Sequence, residues 1–361
     1  MAKTRLAVLS AKGLTIYEFF CISEMPLRRI ASNLTPTGTK EDIPVVFHEP
    51  HVETGFRLTH QPWYYYLFSL FQRHNECMNS WTHLVALLIV IGRLYKISHE
   101  YDFFSDPWMW PMFAGSITMA IMYTCSFTAH CFHNMSEQLH YTCFFIDYAG
   151  IGLYGLGSTI IHYVYCSDKR LIGAVLDMIA VPVGVFLGVM VCFLMSYAKT
   201  KYKRPYPFAR KVYQLVGVIS IYTWLIIPIG QRLFLGMEYP SLWDQSLDDH
   251  TTQMVWFLLS GFFFATDIPQ RFYPGKFDFL FHSHQIFHVC ILIMNLKQID
   301  GIYLDLKLRE DVIHSRADPP TFYNTFGAVL LCVILDVIVI GYFHYKAKQR
   351  IAAEHRAKFE N

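Results

Sequence analysis

Charge is what this sequence has little of. Asp, Glu, Lys and Arg make up 16% of its 361 residues, where a soluble globular domain carries about 25%. So little polar side chain cannot cover a water-facing globule. The formal net charge is only +2, which excludes the bulk positive charge of a nucleic-acid binder, so no nucleic-acid partner is expected. Paired cysteines are missing as well. Nine are scattered along the chain, most of them in apolar runs, and they read as small buried hydrophobes rather than a disulfide framework. A signal-peptide pattern is absent too, because Lys12 interrupts the only early apolar run and no small-residue cleavage site follows it. No linker of domain size breaks the chain.

What is present is apolar and aromatic, at 53% and 17% of residues. Crossing a hydrocarbon core of ~30 Å takes about 20 apolar residues in a helix. Eight runs approach that length, at 81–97, 107–130, 139–163, 171–197, 208–234, 251–272, 279–299 and 322–345. They are nearly continuous and do not alternate, so helices are expected rather than barrel strands. The expected fold is an all-α integral membrane protein, a bundle of about eight transmembrane helices in which one C-terminal helix joins a seven-helix core. Residues 1–62 form a polar N-terminal arm, 63–80 an interfacial aromatic segment opening on Trp63-Tyr64-Tyr65-Tyr66-Leu67-Phe68, 81–345 the transmembrane domain and 346–361 a basic tail.

The loops orient the bundle. Lys199, Lys201, Lys203, Arg204, Arg210 and Lys211 cluster between the fourth and fifth runs. The tail holds Lys346, Lys348, Arg350, Arg356 and Lys358, and the arm holds Lys3, Arg5, Lys12, Arg28 and Arg29. Loops 99–106 and 235–250 contain neither Lys nor Arg. With eight spans these three basic segments fall on one side, and the positive-inside rule places both termini in the cytoplasm. Two sequons, Asn33-Leu34-Thr35 and Asn134-Met135-Ser136, then lie inside and should carry no glycan.

Ionisable groups within a bilayer are costly and mark function. The second run ends on Ser126-Phe127-Thr128-Ala129-His130, the third reaches Asp147 two turns after it begins, and the seventh carries His282-Ser283-His284-Gln285-Ile286-Phe287-His288. At 1.5 Å rise per residue, His130, Asp147, His284 and His288 reach one depth near the inner face. His284 and His288 share a helix face, as do Ser126 and His130. Three imidazoles at one depth suit zinc, which binds neutral histidine and leaves a fourth position open in catalytic sites. Asp147 could hold water or a ligand's N–H, with Ser126 as a supporting partner. On spacing alone, a hydrogen-bonded histidine set without metal explains the pattern equally well.

Other polar positions read differently. His282 falls opposite His288 on the helical wheel and is expected to face headgroups. His83 and His162 read as core hydrogen-bonding groups, and His133 and His140 as interfacial. Asp267 and Asp336 are isolated acids in the sixth and eighth runs, and Gly184-x-x-x-Gly188 is a packing face.

Three stretches carry a family resemblance. They are Leu70-Phe71-Gln72-Arg73-His74-Asn75-Glu76 with Asn79-Ser80-Trp81-Thr82-His83, the region from Ser126…His130 to Asp147-Tyr148, and Pro274-Gly275-Lys276-Phe277-Asp278 through His282-Ser283-His284-Gln285-Ile286-Phe287-His288-Val289. On these the chain resembles the progestin and adipoQ receptor family from about residue 43 to the end of the eighth run, and within it the membrane progestin receptors. The extra C-terminal span, with Leu304-Asp305-Leu306-Lys307-Leu308-Arg309 before it, resembles that branch rather than the seven-span adiponectin receptors. Cys77 stands where the family pattern has threonine, and Gln270 where it has glutamate.

The resemblance implies zinc held by His130, His284 and His288, with Asp147 at the metal's water. It implies a plasma-membrane receptor for a progestin-like steroid, with a heterotrimeric G protein as a possible partner. The family equally implies an alternative, zinc-dependent hydrolysis of a lipid amide such as ceramide, with Asp147 as general base and Ser126 positioning water. A purely structural zinc clamp is the third reading. No ligand-binding residues beyond these are assigned.

Overall fold

Backbone N–H and C=O groups in hydrocarbon have no water to bond, so each apolar run must close its hydrogen bonds internally as a helix. The computed structural model describes residues 34–359. Lys3, Arg5, Lys12, Arg28, Arg29 and the Asn33 sequon position lie outside the described residues. The main helices are α1 Trp63–Phe68, α2 Cys77–Ile97, α3 Trp110–Phe132, α4 Glu137–Tyr165 and α5 Ala180–Lys201. They continue with α6 Phe208–Leu225, α7 Ile227–Glu238, α8 Gln245–Thr266, α9 Ser283–Leu308 and α10 Ala328–Phe359. By length and composition α2, α3, α4, α5, α9 and α10 can each cross a membrane, and the bent pair α6 and α7 makes a seventh if it is one span. The eighth expected span rests on α8, whose first turns carry Asp248, Asp249 and His250 and which is not apolar enough to count with the others.

The break between α6 and α7 has a local cause. Pro228, in the first turn of α7, cannot donate to the carbonyl of Trp224, and the pair bends by 57°. Carbonyls at the break are met by side chains of α4: Tyr163 donates its hydroxyl to Trp224 O at 3.4 Å, and His162 Nδ1 bonds Leu225 O at 2.9 Å. His162 therefore does the hydrogen-bonding work expected of a core histidine.

α4 is the axis of the bundle. Ser136 caps it by accepting from Leu139 N at 3.2 Å, and 78% of its most apolar window is buried, against 22% for α10. It packs on α3, α5, α6, α9 and α10. Close approach is made possible at Gly152: a Cβ there would stand 2.2 Å from Gly188 O on α5. Gly188 meets the Gly152 carbonyl from the other side, so the Gly184-x-x-x-Gly188 stripe packs as small residues do between spans.

The fourth run begins nine residues later than expected, at Ala180, and the eighth continues as helix through the basic tail to Phe359. Other boundaries move as well. The sixth run ends at Thr266, because Asp267 adopts a left-handed conformation (φ 56°) that terminates α8, and Lys211 seals that end by bonding Ala265 O and Asp267. Asp267 is thus a surface-end residue of the helix, not an intrahelical acid. The seventh run begins four residues later than expected, at Ser283, and extends to Leu308. Asp336 does lie buried in α10, accepting from Cys332 Sγ at 3.7 Å.

Residues 34–62 fold against the end of the bundle where α3 and α4 meet. The short strands β1 Gly38–Thr39 and β2 Thr54–Phe56 pair antiparallel, and Phe47 and the β2 residue Phe56 are buried. Arg57 is 0% exposed and donates to the carbonyls of His130 and Cys131, each at 2.7 Å, at the C-terminus of α3. A guanidinium there also complements the negative end of that helix. The same side chain donates to Asn134 Oδ1 at 2.8 Å, so the second sequon asparagine is locked inside the fold.

Candidate metal centre

His130 arrives at the site from the last turn of α3, and His284 and His288 from the first two turns of α9. The start of α9 is held in place by Gln270. Its Oε1 accepts from Ser283 N and its Nε2 donates to Ser283 Oγ, both at 2.8 Å. The residue that departs from the family's glutamate therefore caps the helix that carries two candidate ligands.

One donor nitrogen from each of the three imidazoles lies within 4.8 Å of the others, and His130 Nε2 and His284 Nε2 are 3.2 Å apart. Two nitrogens bound about 2.1 Å from a tetrahedral zinc stand roughly 3.4 Å apart, so this spacing fits the metal. The neighbours fix the tautomers. His130 Nδ1 lies 2.7 Å from Glu76 Oε2, an acceptor, so Nδ1 carries the proton and Nε2 keeps its lone pair. Thr82 donates its hydroxyl to Met78 O at 2.8 Å, leaving its oxygen to accept from His288 Nδ1 at 3.0 Å. His288 therefore also presents a bare Nε2. Carboxylate and hydroxyl partners behind ligand imidazoles are the arrangement that raises basicity and fixes ring orientation in metal sites. The donor set fits zinc.

Ser126 on α3 and Asp147 on α4 line the same cavity as the three histidines, and both are buried. That cavity holds about 480 Å³, within the range of small-molecule sites. Met122, Ile151, Tyr154, Val218, Ile221 and Met294 make its walls mostly apolar. The three histidines, Ser126 and Asp147 thus share one cavity.

Four histidines depart from expectation. His282 is the N-cap of α9, not a helical residue, so the wheel does not apply; it is buried, with Nε2 3.3 Å from Asn75 O. His83 has no hydrogen-bond partner on either ring nitrogen among the described residues, and instead packs against His288, the rings tilted by 32° with centroids 3.7 Å apart. His133 and His140 are interior rather than interfacial, because the segment 34–62 covers them. Their Nδ1 atoms are 3.0 Å apart, and His140 Nε2 lies 2.9 Å from Lys199 Nζ.

Glu76 and Thr82 were given no role from sequence, although both stand in the first stretch that carries the resemblance. A second buried cluster, Cys166, His250 and Asp305, also went unread. Asp305 is already taken: Arg232 bonds it at 2.9 Å, His250 Nε2 at 2.8 Å and Ser246 at 2.6 Å, with Arg309 at 3.6 Å. Two guanidiniums at that carboxylate repel a cation, so this cluster joins α4, α7, α8 and α9 as an ion network rather than a metal site.

Comparison with known proteins settles the lineage. The family described as haemolysin-III related matches residues 71–299. The chain belongs to this haemolysin-III-related, or progestin and adipoQ receptor, family. Membrane progestin receptor beta of Mus musculus is 32% identical over 352 residues, covering 96% of this chain and 97% of that protein. Membrane progestin receptor alpha-B of Danio rerio is 36% identical over 266 residues, 73% of this chain and 75% of its own length. Membrane progestin receptor gamma of Homo sapiens is 32% identical over 303 residues, with 84% and 91% covered. With its apolar helices, membership of this family makes the chain a multi-pass membrane protein.

Proposed function

We propose that this protein is a plasma-membrane receptor for a steroid, progestin-like ligand, with a zinc site inside the bundle. The observation that carries the reading is one apolar cavity of about 480 Å³ whose wall includes the three-imidazole cluster, in a chain whose relatives are named membrane progestin receptors. His130, His284 and His288 would hold the zinc. When bound, zinc supplies a Lewis acid that polarises a carbonyl oxygen or activates water. Glu76 and Thr82 keep two of its ligand imidazoles in the binding tautomer. Apolar wall residues exclude water, so hydrogen bonds made within the cavity are worth more than in solvent.

The proposed topology has eight spans, with α6 and α7 as one broken span and α8 as another, and both termini in the cytoplasm. Its support is the absence of Lys and Arg from loops 99–106 and 235–250 and the close packing of α8 along α9. A heterotrimeric G protein is the signalling partner proposed for the basic end.

A second reading is zinc-dependent hydrolysis of a lipid amide such as ceramide. It is favoured by Asp147 and Ser126 lining the same cavity as the histidines. Asp147 would take a proton from water, and Ser126 would orient it. The histidines' access to the cavity supports either of these over a purely structural clamp, which would enclose its metal. Wild-type protein and His284→Ala, purified full length, should be compared for zinc content, radiolabelled progestin binding and ceramide turnover. The receptor reading expects saturable progestin binding that weakens with loss of the metal. Zinc-dependent turnover without steroid binding would replace it with the hydrolase.

A further inference from the structure

At the end where α5 and α6 meet, the mouth of the cavity is rich in basic side chains, and two of them lack an ion-pair partner among the described residues. Four cations line it: Lys199, Arg204, Arg210 and Lys211. Arg204 pairs with Glu49 and Lys211 with Asp267, both at 2.7 Å. The other two have no ion pair among the described residues. Lys199 is 2% exposed, bonded to His140 Nε2 at 2.9 Å and seated over the Phe144 ring at 3.9 Å. Arg210 lies over the Tyr206 ring at 4.0 Å, and its Nε is buried with no hydrogen-bond partner. Glu76 is committed to His130, and Asp147, which lines the same cavity, is in no ion pair with Lys199 or Arg210 among the described residues. The Lys199 amine at the end of α5 and the Arg210 guanidinium in the first turn of the 18-residue helix α6, whose N-terminal end is itself positive, offer the N–H donors that can hold an oxyanion.

The way in decides what brings that anion. Between α6 and α8 the cavity wall includes Ile219, Leu258 and Phe264, and Leu258 is 68% exposed on α8, a face that meets lipid in the proposed eight-span topology. An amphiphile entering from the bilayer would lay its apolar part along this wall with its head at the mouth. We propose that the mouth of the cavity is a binding site for the phosphate headgroup of a lipid, held by Lys199 and Arg210. This goes beyond the steroid reading and does not depend on it.

Binding of dioleoyl phosphatidic acid, dioleoyl phosphatidylcholine, inorganic phosphate and progesterone to purified full-length protein in neutral detergent tests the site. Phosphatidic acid should bind roughly tenfold or more tightly than phosphatidylcholine, and Arg210→Gln should remove about tenfold of its affinity, the scale of one charge-assisted hydrogen bond. Arg210→Lys should retain most of the preference, which guards against a variant that is merely misfolded. Lys348→Gln, on the exposed tail, should leave the preference unchanged, and progesterone binding should survive Arg210→Gln if that variant remains folded. Equal binding of the two phospholipids would overturn the proposal. So would a preference that Arg210→Gln and Lys348→Gln lower to the same degree, since that reports surface charge. Inorganic phosphate competing at the affinity of phosphatidic acid would assign the site to a free anion and overturn the lipid assignment.

Discussion

Replacing Glu76 with glutamine keeps the shape of the side chain and removes the charge behind His130. Glu76 Oε2 accepts from His130 Nδ1 and from Asn79 Nδ2, each at 2.7 Å. A glutamine oxygen can occupy the same spot, so His130 keeps its tautomer but loses a charged acceptor. Loss of such a partner costs 10–100-fold in metal affinity. Glu76→Gln belongs at the lower end, about tenfold or ~1.4 kcal/mol, and Glu76→Ala, which removes the acceptor, nearer a hundredfold or ~2.7 kcal/mol. Thr82→Val provides an isosteric counterpart at His288, whose Nδ1 would lose its acceptor at 3.0 Å. The assay is competition for zinc with a chelator of known affinity at fixed pH, on purified protein shown to be folded by its melting transition. The order of affinity expected is wild type, Glu76→Gln, Glu76→Ala. If all three variants hold zinc as tightly as wild type, the tautomer assignment is wrong and so is the metal centre built on it.

Three further outcomes are expected. Asp305→Asn should destabilise the protein by ~3–5 kcal/mol, because Arg232 and Arg309 lose the buried carboxylate they share, and thermal melting in detergent would read that loss without any change in zinc content. Gly152→Ala should cost ~1–3 kcal/mol, because its Cβ would meet Gly188 O at 2.2 Å and push α4 from α5; a melting temperature equal to wild type would refute that packing. A sequon placed in loop 99–106 or 235–250 should acquire glycan while one in the tail should not, and glycosylation of the tail would invert the proposed topology.

The sequence made the six long apolar helices legible because backbone bonding in hydrocarbon leaves few choices and hydropathy reports them directly. It also made His130, His284 and His288 legible as a set, since helical rise and an i,i+4 spacing carry depth and facing without any tertiary information. What it hid depends on contacts far apart in the chain. Arg57 reads as one arm residue, yet its acceptors are the carbonyls of residues more than seventy positions away. His133 and His140 read as interfacial because nothing local shows that residues 34–62 fold over them. Asp305 looks like one acid in a charged helix end until Arg232 and His250 arrive from two other helices. Helix ends were the other blind spot. Pro228 stands in the sequence, but the carbonyls at the break are met by Tyr163 and His162 from α4, and only the fold shows that the break is stabilised there.

Zinc X-ray absorption on the purified full-length protein tests the central claim most directly. Coordination by His130, His284 and His288 predicts one zinc per chain with nitrogen or oxygen neighbours at about 2.0–2.1 Å, an imidazole signature, and loss of the ion in His284→Ala. Sulfur neighbours at about 2.3 Å, or a folded wild-type protein that holds no zinc, would contradict it.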